Sequence, residues 1–431
     1  MRRGAGKAAA LTAVIAVAAA ISGCTSTSSP SVTASASAST HVLWWDISTQ
    51  TGAHAAIAAL VAGFEQQHPS VTVDVVTIPV DQARGRFDTA AQTTSGAPDV
   101  VTLDSGWIAD FASRGYLARL DNTPALDPVD DQFTNLVPTA TYDGRVVALT
   151  RSADGPALLY NAAVLKAAGV AVPKTWAELA ADRLRLTAQG VQTLYAPANS
   201  DGLLPWIYGE GGSLLDPNAK TINVNSAAAV AGLSERVDLA ATGVAVDDSS
   251  PGSVDAMRTA FRQGRVAMIV DDAAALAGLV GGTATPSLAS IGIAPLPTGT
   301  VTSSSPLTGT AYAVYEGSHN LQVDFQLVHY LDSASSQAAL AARLGLLPTR
   351  AAAYTDPQVM DDSVIQAFQV VVRTGTPLPQ LPGADTLLLP PLDDALHQAL
   401  TGNGSPQKIL DGVAATYQKA LTDFTIGPAP G

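Results

Sequence analysis

From residue 41 onward, apolar and polar positions fall into strand and helix periods by turns. Residues 41–46 hold Val42, Leu43, Trp44 and Trp45 in one run, which reads as a buried strand. Residues 55–67 follow as a helix with Ile57, Leu60, Val61 and Phe64 on one face. The same reading predicts a strand over 71–78, a helix over 81–94, a strand over 98–104 and a helix over 107–113. Gly115 then suits the left-handed position that ends a helix. Strand–helix–strand repetition implies a parallel sheet with right-handed crossovers. Further strands are expected over 146–149, 158–160, 266–270, 291–294 and 311–314. The last hundred residues read as helices over 321–331, 335–343, 364–372, 385–400 and 406–422. Late helices after an α/β start suggest a chain that crosses between two lobes more than once.

The first forty residues follow another pattern. Arg2, Arg3 and Lys7 precede an apolar stretch over 8–21, closed by Ile21-Ser22-Gly23-Cys24. That is the layout of a secretory signal, and the stretch is shorter than the roughly 20 residues of a membrane-spanning helix. The closing four residues resemble the lipobox of bacterial lipoproteins, which implies that Cys24 is lipidated and that residues 1–23 are removed. An ordinary signal with a chance cysteine is the alternative. Residues 25–40 are Ser, Thr, Ala or Pro except Val32, a composition too poor in apolar area to fold. Residues 24–40 are therefore expected to be a tether.

Composition narrows the class. Cys24 is the only cysteine, which excludes disulfides and Cys-based metal sites. Roughly 385 residues exceed what one core serves, so two lobes are expected. Without the leader's three basic residues, 20 basic face 37 acidic residues, a formal charge of −17. That surface argues against nucleic acid and against adhesion to anionic lipid. The six histidines are scattered without paired spacing, so no metal site is expected, and no cofactor.

Residues 98–120, PDVVTLDSGWIADFASRGYLARL, place Asp104 at the carboxyl end of a strand and Trp107 three residues on. Ligands of open α/β sheets lie beyond such ends. This segment resembles the family 1 extracellular solute-binding proteins, the carbohydrate receptors of ABC importers. DGRVVALTRSADGPALLYNAAVL (143–165), PKTWAEL (173–179), GEGG (209–212), FRQGRVAM (261–268), PLP (295–297), LDSASSQ (331–337) and GLLPTR (345–350) match in the same order. The resemblance implies a two-lobed, periplasmic-binding-protein-like α/β fold of class II type, with a hinge and an interlobe ligand cleft. The first lobe is expected over 41–150 and 266–316, the second over 151–265 and 317–431. It further implies a monomeric receptor that binds a di- or oligosaccharide and delivers it to an ABC permease, with no catalysis.

Sugar hydroxyls call for carboxylates, amides and guanidinium groups, and pyranose faces pack on aromatic rings. Candidate ligand contacts are Trp45, Asp46, Asp104, Trp107, Asp154, Trp206, Glu210 and Arg373. Core packing is as open as stacking for Trp45, Trp107 and Trp206, and Asp104 could equally cap the following helix. Asp154 stands where related receptors often place an amide. Trp176 reads as a structural staple. Glu210 could be an exposed turn residue, and Arg373 a solvated helix end. The sequence PGADTLLLP lacks the aromatic residues of the maltose-binding branch, which weakens a maltodextrin assignment. A glycerophosphodiester or polyol receptor, a secreted carbohydrate-active enzyme and an anchored scaffold remain as alternatives.

Overall fold

The computed structural model describes residues 39–127, 131–246, 248, 250 and 252–427. Cys24 and the leader expected before it lie outside the described residues. Two sheets organise the rest. In the first, Val71–Thr77, Thr40–Asp46 and Val100–Asp104 run parallel, and Pro306–Val314 lies antiparallel to Val100–Asp104. Leu149–Asp154 also pairs antiparallel with Pro306–Val314. In the second, the order is Ile291–Ala294, Ala157–Asn161, Val266–Asp271, Gln192–Tyr195. Ala157–Asn161 is antiparallel to both its neighbours.

Period-two alternation decides how the first strand is buried. Val42 and Trp44 face a cluster with Ile57, Phe64, Val328 and Leu331, whereas Trp45 faces Phe87, Leu103 and Phe111 on the opposite side. Helices cover both faces, so both tryptophans are inside, at 0% and 8% exposure. Burying a side chain such as Phe64 contributes about 1.5–3 kcal/mol. In the second lobe, Leu158, Leu194 and Met268 face Trp176 and Trp206, while Leu159 and Ile269 face Met257 and Phe261. A helical layer of Leu204–Gly209, Ala227–Ala241, Ala384–Leu400 and Pro406–Ala420 packs around Ile207, Leu233, Leu392 and Tyr417.

Two expected boundaries need correction. Val266–Asp271 and Ile291–Ala294 lie in the second sheet, so within 266–316 only Pro306–Val314 supplies a strand to the first. The helices Leu321–Asp332 and Ala334–Leu344 place Phe325, Val328, Leu331 and Leu340 against Trp44 and Phe64, so the first lobe extends past residue 316. The strand expected over 146–149 is instead Leu149–Asp154. Its buried polar residues, Thr150, Arg151 and Ser152, interrupt the apolar run that would have announced it.

Two segments cross between the sheets, and a third joins the first sheet's edge to the helical layer of the second lobe. Leu149–Asp154 passes through Gly155 and Pro156 into Ala157–Asn161, Ile291–Ala294 returns through 295–305 to Pro306–Val314, and Ser363–Thr374 leads through Thr376–Pro377 to Ala384–Leu400. They meet one another. Ser305 Oγ donates to the Pro156 carbonyl at 2.5 Å, and Thr376 N–H donates to the Ser305 carbonyl at 2.8 Å. A Cβ on Gly155 would stand 2.5 Å from the Pro306 carbonyl oxygen, so only glycine lets the first two crossings approach this closely.

The motifs LDSASSQ and GLLPTR meet in a buried polar knot beside the first crossing. Arg350 Nη2 donates to Asp332 Oδ2 at 2.6 Å, and Gln337 Nε2 donates to Asp332 Oδ1 at 2.9 Å. Thr349 Oγ1 donates to the Thr150 carbonyl at 2.6 Å, tying the knot to the crossing strand. Burial pushes the Asp332 carboxyl up to about 6 despite the Arg350 guanidinium beside it.

Candidate ligand cleft

Strands end in aspartate at the edge where the lobes face each other: Asp46, Asp104 and Asp154 in the first sheet, Asp271 in the second. Their surroundings give them different work. Asp46 is fully buried and accepts from Thr102 Oγ1 at 2.9 Å, Arg151 Nη1 at 3.1 Å and Ser48 N–H at 2.8 Å. With those partners it holds the sheet end together. Asp271 accepts two parallel bonds from Arg258, Nε to Oδ2 and Nη2 to Oδ1, both at 2.8 Å.

Asp154 is different. Its Oδ1 accepts from the Gly155 N–H at 2.8 Å, and it lines a cavity of about 150 Å³ between the two crossings and the second sheet. Asn199, Asp201, Arg258, Asp271 and Asp272 line it too. Burial, reinforced by Asp272 and Asp271, pushes the Asp154 carboxyl up to about 7. Burial likewise raises Asp272, with Asp271 adding to the rise and Arg258 opposing it. Asp201, on the exposed rim, is raised by desolvation and then by Asp272, Asp393 and Asp271. Two roomier grooves, each of about 700 Å³, run along 135–144 with 213–218 and 376–380, and along 112–147 with 316–325. No strand-end aspartate lines either.

Asp104 stands on the other side of Pro306–Val314 from Asp154: its partner there is Thr310, and that of Asp154 is Thr308. Its Oδ1 caps the turn of Ser105–Trp107 by accepting from the Gly106 N–H at 2.8 Å. Asp385, at the start of Ala384–Leu400 in the second lobe, reaches the same turn, its Cβ 3.4 Å from the position a Gly106 Cβ would take. Arg84, from Val80–Thr93 in the first lobe, donates to Asp385 Oδ2 at 3.2 Å and to Asp110 Oδ2 at 3.4 Å. This ion pair spans the lobes. Asp385 Oδ1 is buried without a hydrogen-bond partner among the described residues. Burial raises the Asp104 carboxyl, Asp385 adds to the rise, and the Gly106 N–H and Arg84 oppose it.

The sequence profile of the bacterial extracellular solute-binding proteins matches residues 48–338, well over half of the chain. The chain belongs to that family. A probable ABC transporter-binding protein of Deinococcus radiodurans is 29% identical over 307 residues, covering 67% of this chain and 71% of the relative. The GacH receptor of Streptomyces glaucescens, solved unliganded and in complex with acarbose, is 36% identical, with a TM-score of 0.75 over 90% of this chain and 99% of that one. The sugar-binding protein MalE of Xanthomonas citri, 22% identical, shares the fold with a TM-score of 0.79 over 89% and 98% of the two chains.

Within this solute-binding protein the structure brings Asp104, with Trp107 in the turn it caps, and Asp154 to the candidate cleft, and leaves the other expected contacts elsewhere. Trp206 is 0% exposed and stacks on Trp176, ring centroids 4.3 Å apart at 16°, so no face is left for a sugar. Trp45 is inside the first lobe with the Arg86 guanidinium 5.3 Å from its ring centre. Asp46 is consumed by Arg151, Thr102 and Ser48. Glu210 holds a loop by accepting from the Thr300 N–H at 2.9 Å and the Thr300 hydroxyl at 2.5 Å. Arg373 is exposed in the last turn of Ser363–Thr374. Trp107 is half-buried against the Phe87–Phe111 cluster, next to the turn that meets Asp385. Sequence reasoning missed Asn199, Asp201, Asp272, Arg258, Arg84 and Asp385. A signal existed for one of them: Asp271-Asp272 closes the strand read over 266–270, as Asp104 closes its own.

Proposed function

We propose that this protein captures an oligosaccharide in the interlobe cleft and presents it, lobes closed, to the permease of an ABC importer. The observation that carries the reading is the cleft's construction. Asp154 from one lobe lines a cavity with Asp201 and Asp272 from the other, Asp104 separately meets Asp385 at the Gly106 turn, and three crossings allow the lobes to turn. Carboxylates and Asn199 accept from and donate to hydroxyls, and the acarbose-bound GacH receptor is similar over nearly its whole length. A cavity of about 150 Å³ is smaller than the roughly 300 Å³ or more of typical ligand pockets, so entry of a disaccharide requires wider separation of the lobes. Both cleft guanidinium groups are already engaged by carboxylates, which disfavours a phosphodiester.

Thermal shift against a panel of neutral, amino and N-acetylated di- and trisaccharides tests the reading. A ligand at 100 times its Kd adds about 2.7 kcal/mol of stability. No shift with any member, alongside product release detected by chromatography, would replace the receptor with an enzyme; no shift and no product would leave a scaffold.

Attachment through Cys24, the tether after it and a monomeric state belong to the same proposal. The anchor and tether rest on the Ile-Ser-Gly-Cys junction and the Ser/Thr/Ala stretch that follows it, and the monomeric state on the family resemblance alone. Cys24→Ala should move the protein from the membrane fraction to the medium, and unchanged membrane retention would refute the anchor.

A further inference from the structure

We propose that the cleft takes a saccharide bearing a protonated amine, its ammonium group drawn into the cavity that Asp154, Asp201 and Asp272 line, in preference to a neutral sugar. The inference rests on the carbohydrate reading above and deepens it. The cavity is a ligand site on grounds other than its charge: it lies at the carboxyl end of the crossing strand Leu149–Asp154, between the crossings that join the lobes. Its charge then identifies the occupant.

Four carboxylates line the cavity, and the one guanidinium among them, Arg258, has both of its forked bonds on Asp271. Among the described residues no ion pair reaches Asp154, Asp201 or Asp272. Their bonds to protein are with neutral groups: Asp154 with the Gly155 N–H, Asp272 with the Ala275 N–H at 3.0 Å, and Asp201 with the Asn199 amide at 3.5 Å. Asp393, which accepts from the Ser200 N–H at 2.6 Å, adds another negative group behind Asp201.

A sugar hydroxyl can donate to one carboxylate oxygen, but it cancels no charge. Closing a dehydrated cleft over like charges is opposed by desolvation and by their mutual repulsion. An ammonium supplies three donors and a countercharge in one compact group, small enough for a 150 Å³ space. Asp385 repeats the theme across the cleft, with one oxygen on Arg84 and the other buried without a donor beside Asp104.

The test is isothermal titration calorimetry near neutral pH on the chain from residue 25, using ligands that share a skeleton. β-1,4-linked glucosamine di- and trisaccharides are compared with their N-acetylated forms, with cellobiose and cellotriose, and with maltose and maltotriose. Because bonds between charged partners are roughly twice as strong as neutral ones, an aminated member should bind at least about tenfold tighter than its acetylated and neutral counterparts. Asp154→Asn and Asp272→Asn should each reduce that preference severalfold. Asparagine keeps the capping acceptor at 272, and a melting curve confirms folding of each variant. A neutral or acetylated member that binds as tightly as the aminated one overturns this proposal while leaving the carbohydrate reading intact. A preference that survives both substitutions overturns the seat assigned to the ammonium. No binding by any member overturns both readings.

Discussion

Asp154→Asn should stabilise the ligand-free protein at alkaline pH and leave it almost unchanged in mild acid. In the folded cleft the carboxyl is pushed from its ordinary 3.8 up to about 7, by burial first and by Asp272 and Asp271 after it. Between those values the folded protein keeps a proton that the unfolded chain releases. Stability is therefore complete below pH 3.8 and is lost as pH rises through about 7, levelling off above it. A difference of about three pKa units corresponds to a ceiling near 4 kcal/mol at about 1.4 kcal/mol each. Water entering the unliganded cleft and the shared titration of Asp272 and Asp271 should reduce it to about 2 kcal/mol. Asparagine keeps the acceptor for the Gly155 N–H but carries no charge, so it should recover that amount. With an unfolding entropy of about 2.1 cal/mol/K per residue over roughly 390 residues, the gain is about 2–3 °C in Tm. Differential scanning calorimetry of ligand-free wild type and variant at pH 5 and pH 8.5 measures it. The variant should melt higher at pH 8.5, with the gap closing to under about 1 °C at pH 5. A gap of equal size at both pH values, or a lower Tm at pH 8.5, would refute the reasoning.

Three further substitutions separate framework from cleft. Trp206→Ala, which removes a fully buried ring stacked on Trp176, should cost about 3–5 kcal/mol in urea unfolding while leaving the affinity of the folded fraction unchanged; lost affinity at unaltered stability would return Trp206 to the site. Asp332→Asn leaves the buried Arg350 with Asp131 as its remaining carboxylate partner and should cost about 3 kcal/mol, with Asp332→Asn/Arg350→Met regaining part of it. A double variant no more stable than the single would show that the charge of Arg350 is not what destabilises it. Gly155→Ala drives a methyl group against the Pro306 carbonyl and should cost about 1–3 kcal/mol. It should also change the ligand-free radius of gyration in small-angle scattering, and an unchanged radius would show that this approach does not set the lobe angle.

The elements that follow a simple period were legible in the sequence. Thr40–Asp46, Val71–Thr77, Ile291–Ala294 and Ala384–Leu400 begin or end within a residue or two of where the pattern put them. Ala227–Ala241 was missed for a physical reason: AAAVAGLSERVDLAA has alanine on every face, so its buried side contrasts weakly with its exposed one. Leu149–Asp154 was misplaced because its interior holds a guanidinium, tolerable only because Asp46 and Ser48, about a hundred residues away, receive it. Lobe membership was beyond local pattern altogether. Nothing in VAMIVD or IGIA says which of two sheets will take it, because both edges offer the same backbone bonds.

The candidate site divides along the same line. Sequence reasoning singled out Asp104 by its strand-end position and Asp154 by its place in the crossing segment, and it set Asp46 beside them; in the structure all three end strands, and by that criterion they are equivalent. What separates them is whether a cation arrives from elsewhere in the chain. Arg151 reaches Asp46 and turns it into a strut, as Arg258 does for Asp271. No guanidinium pairs with Asp154 or Asp272 among the described residues, and burial raises both carboxyls. A buried charge left uncompensated lowers stability unless something outside the fold compensates it. In a receptor whose lobes close over a guest, that something is the guest. If the proposed seat is right, the residues least favourable to the empty protein are the ones that discriminate most strongly between ligands, and what sets them apart is the absence of a cationic partner among the described residues rather than residue type or position.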